Sequence, residues 1–170
     1  MPPRFEDSVV PHLDAAFNYA RWLAKNDAEA EDVVQDACVR ALRFFSSLKG
    51  GDGRAWLMAI VRNTWYSRVG RRGEAGTAVD AVREEPADEA LDPEGAAIRQ
   101  QTVDRVREAV ELLPTDFREA IVLRELEGCS YKEIASITGV PIGTVMSRLA
   151  RARERLIVIL RVAEAGEAAS

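Results

Sequence analysis

Apolar residues in the first half of the chain recur every three or four positions, which is the spacing of one face of an α-helix. This pattern predicts helices over about residues 13–24, 28–45 and 54–72. The glycine-rich segment SSLKGGDG interrupts the pattern between the second and third of them. Three helices of this length are enough to bury a small core.

The second half of the chain shows the same helical spacing from about Ile98 onward. One predicted helix is stopped by Pro114, and the next ends at Gly128. A short helix over 131–137 and a long one reaching about residue 161 complete the pattern. No segment shows the strict alternation typical of a strand, so the predicted fold class is all-α.

Residues 73–97 separate the two halves and differ from both in composition. They contain eight acidic residues, one arginine and no aromatic residue. Such a stretch cannot bury enough apolar surface to offset the entropy of ordering it. We therefore expect two small helical domains, 1–72 and 98–165, joined by a flexible acidic linker. An acidic surface helix over part of the linker is the alternative.

The segment SYKEIASITGVPIGTVMSRLARAR has the spacing of a helix-turn-helix. This motif needs a small residue in the first helix, a glycine in the turn and an apolar residue that locks the second helix against the first. Ala135, Gly139 and Val145 occupy these three positions. Ser130 and Glu133 have the spacing of a capping box at the start of the first helix. The C-terminal domain is therefore predicted to contain a helix-turn-helix.

The second helix of this motif would carry a polar, basic surface suited to DNA. Arginine can read guanine in the major groove or bind phosphate, and a helix N-terminus attracts phosphate. The alternative is a solvated basic face on an ordinary helical hairpin. The predicted DNA-binding residues are Thr144, Ser147, Arg148, Arg151 and Arg155.

The formal net charge of −5 gives little support to DNA binding until its distribution is considered. Residues 73–97 carry a net charge of −7, whereas residues 1–72 and 98–162 each carry +2. The acidity is therefore concentrated in the predicted linker. Together with the overall charge, it also suggests that the free chain binds DNA poorly, with a linker that could fold back onto the basic faces.

Composition argues against several other classes of protein. The chain has one histidine, His12, and two widely spaced cysteines, Cys38 and Cys129, so we expect no metal site, no disulfide and no cofactor. It also lacks a phosphate-binding glycine loop and a nucleophile–histidine pair, so we expect no catalytic residues, no small-molecule substrate and no enzyme. Without a signal peptide or a membrane-length apolar run, the expected location is the cytoplasm.

Both halves resemble one family. ELLPTDFREAIVLRELEG and GCSYKEIASITGVPIGTVMSRLARARERL resemble the fourth conserved region of extracytoplasmic-function (ECF) RNA polymerase sigma factors. DAEAEDVVQDACVRAL and GGDGRAWLMAIVRNTWYSRVGRR resemble the family's core-polymerase-binding helix and its promoter-melting segment. The resemblance covers about residues 10–72 and 98–160. It implies a transcription initiation factor whose partners are core RNA polymerase and promoter DNA, without membrane insertion.

The resemblance also implies a division of labour between the domains. The first would bind the polymerase clamp and the −10 promoter element, and the second would bind the −35 element. The helix over 28–45 carries a polar stripe that would meet the polymerase: Asp32, Asp36, Arg40 and Arg43. The alternative is a solvated face in which Asp36 pairs with Arg40.

The third helix combines basic, amide and aromatic groups, which melted DNA requires for phosphate and for unstacked bases. The residues assigned to the −10 element are Lys49, Arg62, Asn63, Tyr66, Arg68 and Arg71. The loop over 46–53 would form a pocket for a flipped base. Trp56 and Trp65, on the same helix, are expected to pack in the core.

Two rival functions share some of these features. An ordinary helix-turn-helix regulator would bind DNA without polymerase, although it would not need the first domain. A sigma mimic that sequesters an anti-sigma factor would not itself form holoenzyme. The sequence leaves open the promoter, the inducing signal and the existence of a cognate anti-sigma factor.

Overall fold

The computed structural model describes residues 2–49, 53–72 and 93–168, with the backbone alone for residues 71 and 72. Every regular element in these ranges is helical, as predicted. The α-helices are α1 (Phe5–Ser8), α2 (Leu13–Ala24), α3 (Asp27–Arg43), α4 (Arg54–Arg72), α5 (Pro93–Glu111), α6 (Thr115–Ile121), α7 (Tyr131–Thr138) and α8 (Ile142–Ala168). Short 3-10 turns lie at Val10–His12 and Phe45–Ser47, and a π-helical turn at Val122–Leu126 continues α6.

Helices α2, α3 and α4 pack together and form the first helical unit. Tyr19, Val33, Ala37 and Val61 are fully buried among them. Small alanines on α3 let the helices approach closely, while Tyr19 fills the space between them. The predicted core role of the tryptophans fits this packing, because Trp56 and Trp65 are partly buried against the same core.

Helix α3 begins at Asp27, one residue before the predicted start at 28. Asn26, rather than Asp27, is the N-cap, and its side-chain oxygen accepts a hydrogen bond from the Glu29 amide at 3.0 Å. Asn26 has the extended backbone that a cap requires, whereas Asp27 already belongs to the helix. The Asp27 carboxylate instead accepts a hydrogen bond from Arg21 Nε at 2.9 Å.

Helices α5 to α8 form the second unit. Leu113, Leu123, Ile134 and Leu149 are almost fully buried in it. Arg118 is buried as well, and its guanidinium donates to the carbonyl oxygens at the end of α5. Together with a bond from Lys25 to the Glu111 carbonyl, this contact satisfies carbonyls near the helix end.

Helix α5 begins at Pro93, so residues 93–97 are helical and do not belong to the predicted linker. A proline is well suited to the first turn of a helix, and Glu94 complements the helix dipole there. The rest of the predicted linker, residues 73–92, lies outside the described residues. The choice between a flexible linker and an acidic surface helix there therefore stays a prediction. Helix α8 is also longer than predicted and reaches Ala168.

The predicted capping box starts α7. Ser130 Oγ accepts from the Glu133 amide at 3.1 Å, and the Glu133 carboxylate accepts from the Ser130 amide at 2.9 Å. The bond from the Ser130 amide and, more weakly, the Arg54 guanidinium hold the pKa of Glu133 below its ordinary value, although partial burial acts in the opposite direction. The start of α7 is therefore fixed by side chains as well as by the backbone.

We expect Ser130→Ala to lower the free energy of unfolding by ~1 kcal/mol, the usual cost of losing an N-cap. The measurement is urea unfolding followed by circular dichroism. Ser136→Ala is the matched control, because Ser136 is exposed in the middle of α7. Equal losses in the two variants would contradict a capping role for Ser130.

The two units pack against each other, and their buried residues form one continuous hydrophobic cluster. Helix α4 contacts α7, and α2 contacts α6. Side chains near this boundary are therefore partly shielded by the opposite unit. In the described ranges, no helix is long and apolar enough to cross a membrane.

Candidate nucleic-acid interface

Helices α7 and α8 form the predicted helix-turn-helix. Gly139 ends α7 with a φ of +71°, a conformation that glycine adopts without strain. Val145 and Leu149, each 1% exposed, hold α8 against α7. Half-buried Ala135 lies on α7 at the position where the motif requires a small side chain. The sequence therefore predicts both the turn and the side chains that lock it.

The N-terminal half of α8 presents the predicted DNA-binding residues. Ser147, Arg151 and Arg155 are exposed, while Thr144 and Arg148 are half-buried. The amide of Thr144 donates to the Pro141 carbonyl at 3.0 Å, so the hydroxyl, rather than this amide, is suited to contact phosphate. All five predicted residues thus lie on one helix, three of them exposed to solvent and two partly covered.

The arginines of α8 differ in their acidic neighbours. Arg148 lies 3.8 Å from the Asp116 carboxylate on α6. Arg153 donates to Glu125 at 3.0 Å, and this bond raises the pKa of Arg153. Arg153 is therefore held against the second unit itself, whereas Arg151 extends from the exposed face of α8.

The predicted −10 residues on α4 are divided by the contact between the units. Asn63 on α4 is exposed, and so is Lys49, five positions before the start of that helix. Arg62 and Tyr66 instead bind the Glu119 carboxylate of α6: Arg62 Nε donates at 2.8 Å and the Tyr66 hydroxyl donates to the other oxygen. The side chain of Arg71 and residues 50–52 of the proposed base pocket lie outside the described residues.

Glu119 changes the protonation chemistry of its two partners. Burial raises the pKa of Tyr66, and the hydrogen bond to Glu119 raises it further. Burial alone would lower the pKa of Arg62, but its hydrogen bond and charge interaction with Glu119 raise it overall. Arg62 also lies over the Tyr66 ring, with its guanidinium carbon 4.5 Å from the ring centroid. The three groups form a compact charged cluster at the boundary between the units.

The predicted polymerase-binding stripe lies on α3. Asp32, Asp36 and Arg43 are exposed, and Arg40 is half-buried with a 3.3 Å hydrogen bond to Thr64. Asp36 accepts from Arg68 at 2.7 Å, rather than pairing with Arg40. Arg68 also lies 3.9 Å from Asp32. The acidic part of the stripe is therefore adjacent to a residue assigned to DNA.

Two large apolar residues of α3 lie on its surface. Leu42 is 60% exposed and Val39 is 56% exposed. Val39 follows Asp32 and Asp36 at helical spacing and precedes Arg43 on the same side of the helix. This spacing was the sequence signal that could have placed Val39 on the polar face. Large exposed apolar side chains beside charged ones are typical of a protein-binding surface.

An apolar groove runs between the second unit and the end of α2. Its volume is about 560 Å³, and its apolar lining includes Trp22, Val103, Val106, Leu126 and Leu156. Trp22 comes from the first unit, so both units contribute to the groove. Because most of its lining is apolar, the groove suits the apolar face of a helix better than it suits DNA.

The described residues show no cluster able to hold a metal ion. The two cysteines are free thiols, with Cys38 half-buried and Cys129 fully buried. Cys38 is thus less enclosed than a core residue. Burial raises the pKa of Cys129 to about 11, which makes this thiol a poor nucleophile at neutral pH.

Family models match both helical units in the order predicted. The model described as Sigma-70 region 2 matches residues 9–74. The model described as Sigma-70, region 4 matches residues 104–156. The first match covers α2 to α4, and the second covers the helix-turn-helix.

Three sigma factors are similar to most of this chain. The chain is 38% identical over 147 residues to the ECF RNA polymerase sigma-E factor of Escherichia coli, covering 81% of this chain and 75% of the relative. It is 36% identical over 137 residues to the RNA polymerase sigma-H factor of Pseudomonas aeruginosa, covering 75% and 71%. It is 33% identical over 158 residues to the ECF RNA polymerase sigma factor SigE of Mycolicibacterium smegmatis, covering 91% of this chain but only 60% of that relative.

Solved structures give the same result for the fold. The sigma factor RpoE, solved in complex with the anti-sigma factor NepR from Bartonella quintana, has a TM-score of 0.73 and 34% identity, covering 91% of this chain and 94% of that one. CnrH, solved in complex with the cytosolic domain of CnrY, has a TM-score of 0.64 and 26% identity, covering 91% and 85%. Matches of this extent span both helical units.

Proposed function

Because the chain belongs to the ECF RNA polymerase sigma factor family, we propose that it binds core RNA polymerase and directs it to specific promoters. Sigma factors are transcription initiation factors and are not known as enzymes. The observation that carries the proposal is the presence of regions 2 and 4, in this order, in one chain. This activity would place the protein in the cytoplasm, where the polymerase acts.

Holoenzyme formation is the experiment that separates this proposal from its rivals. The chain and core polymerase are mixed and passed over a size-exclusion column. Co-elution in a one-to-one complex supports a sigma factor. An ordinary helix-turn-helix regulator would elute separately from the polymerase while still binding duplex DNA.

The second unit is proposed to bind the −35 element with the exposed face of α8. Thr144 and Ser147 supply hydroxyls near the start of the helix, where phosphate binding is favoured. Arg148 and Arg151 are three residues apart, so both can enter the major groove from one side. Arg155, one turn further, would contact the flanking phosphate.

We expect Arg151→Ala to relax base preference at one −35 position, because a bidentate arginine–guanine contact is worth ~1–3 kcal/mol of discrimination. Arg153→Ala is the matched control: this arginine is held by Glu125, so its loss should leave the base preferences unchanged. The measurement is competition binding to every single-base variant of a −35 duplex. An unchanged preference profile for Arg151→Ala would make Arg151 a backbone contact.

The first unit is proposed to contact the melted −10 element through α4 and through Lys49, which precedes this helix in the chain. Lys49, Arg68 and Arg71 would neutralise phosphates, since charge dominates affinity for nucleic acid. Asn63 offers an amide for base edges, and Tyr66 offers a ring on which a base can stack. Arg62 and Tyr66 would have to leave Glu119 before they could do so.

The polar face of α3 is proposed to bind the polymerase clamp. Asp32 and Asp36 give the surface its negative charge, and Arg40 and Arg43 follow on the same side of the helix. The exposed Val39 and Leu42 lie on this part of α3 and would supply apolar contact area. Such a combination of charge and apolar surface suits a specific protein interface.

A cognate anti-sigma factor is a further proposed partner. Both solved relatives described above were captured with another protein, and RpoE was captured with an anti-sigma factor. The apolar groove beside Trp22 and Leu156 is the surface that best fits a partner helix. Binding there would engage both units at once.

A further inference from the structure

Apolar side chains on the first turns of α8 are exposed, next to the residues proposed to read the −35 element. Ile142 is 46% exposed and Met146 is 54% exposed. Ala150, one turn further along, is exposed as well. Side chains four positions apart are neighbours on a helix surface, so these three form one continuous apolar ridge. All three lie outside the hydrophobic core, which Val145 and Leu149 supply at this end of α8.

The apolar ridge runs beside a polar one on the same helix. Gly143, Ser147 and Arg151 each follow a ridge residue by one position and are exposed, so they form the neighbouring ridge. Ser147 donates its hydroxyl proton to the Thr144 carbonyl at 3.1 Å, so it presents only acceptor lone pairs outward. An acceptor can bind the amino group of adenine or cytosine but offers nothing to the methyl group of thymine. Recognition of thymine is therefore left to other side chains of α8.

The start of α8 leaves room for the Met146 side chain. Long side chains on a helix lean back toward its N-terminus, over the residues three and four positions earlier. For Met146 these residues are Gly143 and Ile142. Apart from the chain neighbours of Gly143 and the helix's own backbone, no atom of the described residues lies within 4 Å of the point where a Gly143 Cβ would be. The flexible thioether of Met146 can therefore lie over the first turn, where a recognition helix contacts base edges.

The surroundings of the ridge favour DNA over an apolar protein partner. Residues 142–153 contain three arginines and no acidic residue. Two of these arginines have acidic neighbours on other helices, but Arg151, adjacent to Ala150 in the chain, is exposed. The ridge also begins at the N-terminus of a 27-residue helix, which attracts phosphate. DNA phosphates would neutralise this charge, whereas an apolar partner would have to bury it.

We propose that Met146 is a specificity-determining residue of the −35 contact and reads the methyl group of a thymine, with Ile142 and Ala150 on either side of it. The proposal deepens the proposed function and rests on it, because it assumes that α8 enters the −35 major groove. Among the four bases only thymine presents a methyl group there, and apolar side chains select it by contact. Burying one methyl group corresponds to roughly a fourfold gain in affinity.

Uracil provides the test, because it differs from thymine only in lacking this methyl group. Holoenzyme is assembled from the full chain and core polymerase, and its −35 element is identified by transcription from a promoter library. Each thymine of that element is then replaced in turn by deoxyuridine in a synthetic promoter duplex. Competition binding compares each substituted duplex with the original for wild type, Met146→Ala, Met146→Leu and Ile157→Ala. Ile157→Ala is the matched control, because Ile157 is 49% exposed on α8 but lies about three turns beyond Met146.

Wild-type holoenzyme should bind roughly fourfold more weakly when uracil replaces the thymine that Met146 contacts. Met146→Ala should lose this discrimination while binding the uracil duplex as tightly as wild type does. Met146→Leu keeps a large apolar side chain and should retain most of the discrimination. Ile157→Ala should discriminate as wild type does.

The proposal is overturned if no uracil duplex binds more weakly than the original, if Met146→Ala discriminates as wild type does, or if the −35 element contains no thymine in either strand. It is also overturned if Met146→Ala weakens every duplex equally, because the ridge would then contact the DNA backbone or the polymerase. These results leave the proposed function intact, since transcription from the selected promoters has already required a sigma factor. Failure of the proposed function is distinct: no holoenzyme forms, or no transcript depends on the chain, and the proposal fails with it.

Discussion

Reversing Asp32 and Asp36 to lysine is expected to weaken binding to core RNA polymerase by more than about tenfold. Both carboxylates are exposed on α3, so they contribute little to folding but much to the charge of the proposed polymerase-binding surface. Reversal also places two positive charges beside Arg68, which now lies near both. Like charges across a protein interface cost several kcal/mol, and each ~1.4 kcal/mol is a tenfold loss of affinity.

The measurement is titration of fluorescently labelled core polymerase with wild-type and variant chains. Glu31→Lys is the matched control, because Glu31 is exposed on α3 but points about 100° away from Asp32 around the helix. It should retain wild-type affinity. If the double reversal binds as tightly as the wild type with unchanged helical content, α3 is not the polymerase-binding face.

Truncating Leu149 to alanine is expected to destabilise the second unit by ~2–5 kcal/mol, the range for large-to-small substitutions in a packed core. Leu149 is 1% exposed where α8 crosses α7, so its loss leaves a cavity at the centre of the helix-turn-helix. The position of the recognition helix depends on this contact. Duplex −35 binding should therefore fall together with stability.

Urea unfolding and binding to a −35 duplex measure the two effects. Val158→Ala is the control, since Val158 lies further along α8 and is 59% exposed. It should change the free energy of unfolding by less than about 0.5 kcal/mol, as most surface substitutions do. A loss for Leu149→Ala as small as that for Val158→Ala would show that Leu149 does not fix the crossing of α7 and α8.

The local elements of the fold could be predicted from the sequence because their signals lie within a few residues of one another. The Ser130–Glu133 capping box, the positive φ of Gly139 and the burial of Val145 all follow from spacing and residue type. The first turn of α5 was missed because an acidic, alanine-containing sequence suits both a linker and a helix start. Pro93 was the residue that could have marked the difference.

The contact between the units could not be predicted in the same way. Glu119 and Arg62 are separated by 57 positions in the sequence, and nothing near either residue marks the other as its partner. In the sequence, Glu119 is one acidic residue of a helical segment, and its burial depends on packing against α2 and α4. The 60% exposure of Leu42 likewise depends on how the neighbouring helices pack, and nothing near it in the sequence marks it.

Transcription in vitro with purified core polymerase tests the central claim most directly. The template is a library of genomic promoter fragments, and the products are sequenced to locate their start sites. A sigma factor should produce transcripts from a small set of fragments that share spaced −10 and −35 elements, and none should arise from those start sites without the chain. Absence of any transcript that depends on the chain, from a protein that is folded and binds core polymerase, would contradict the assignment.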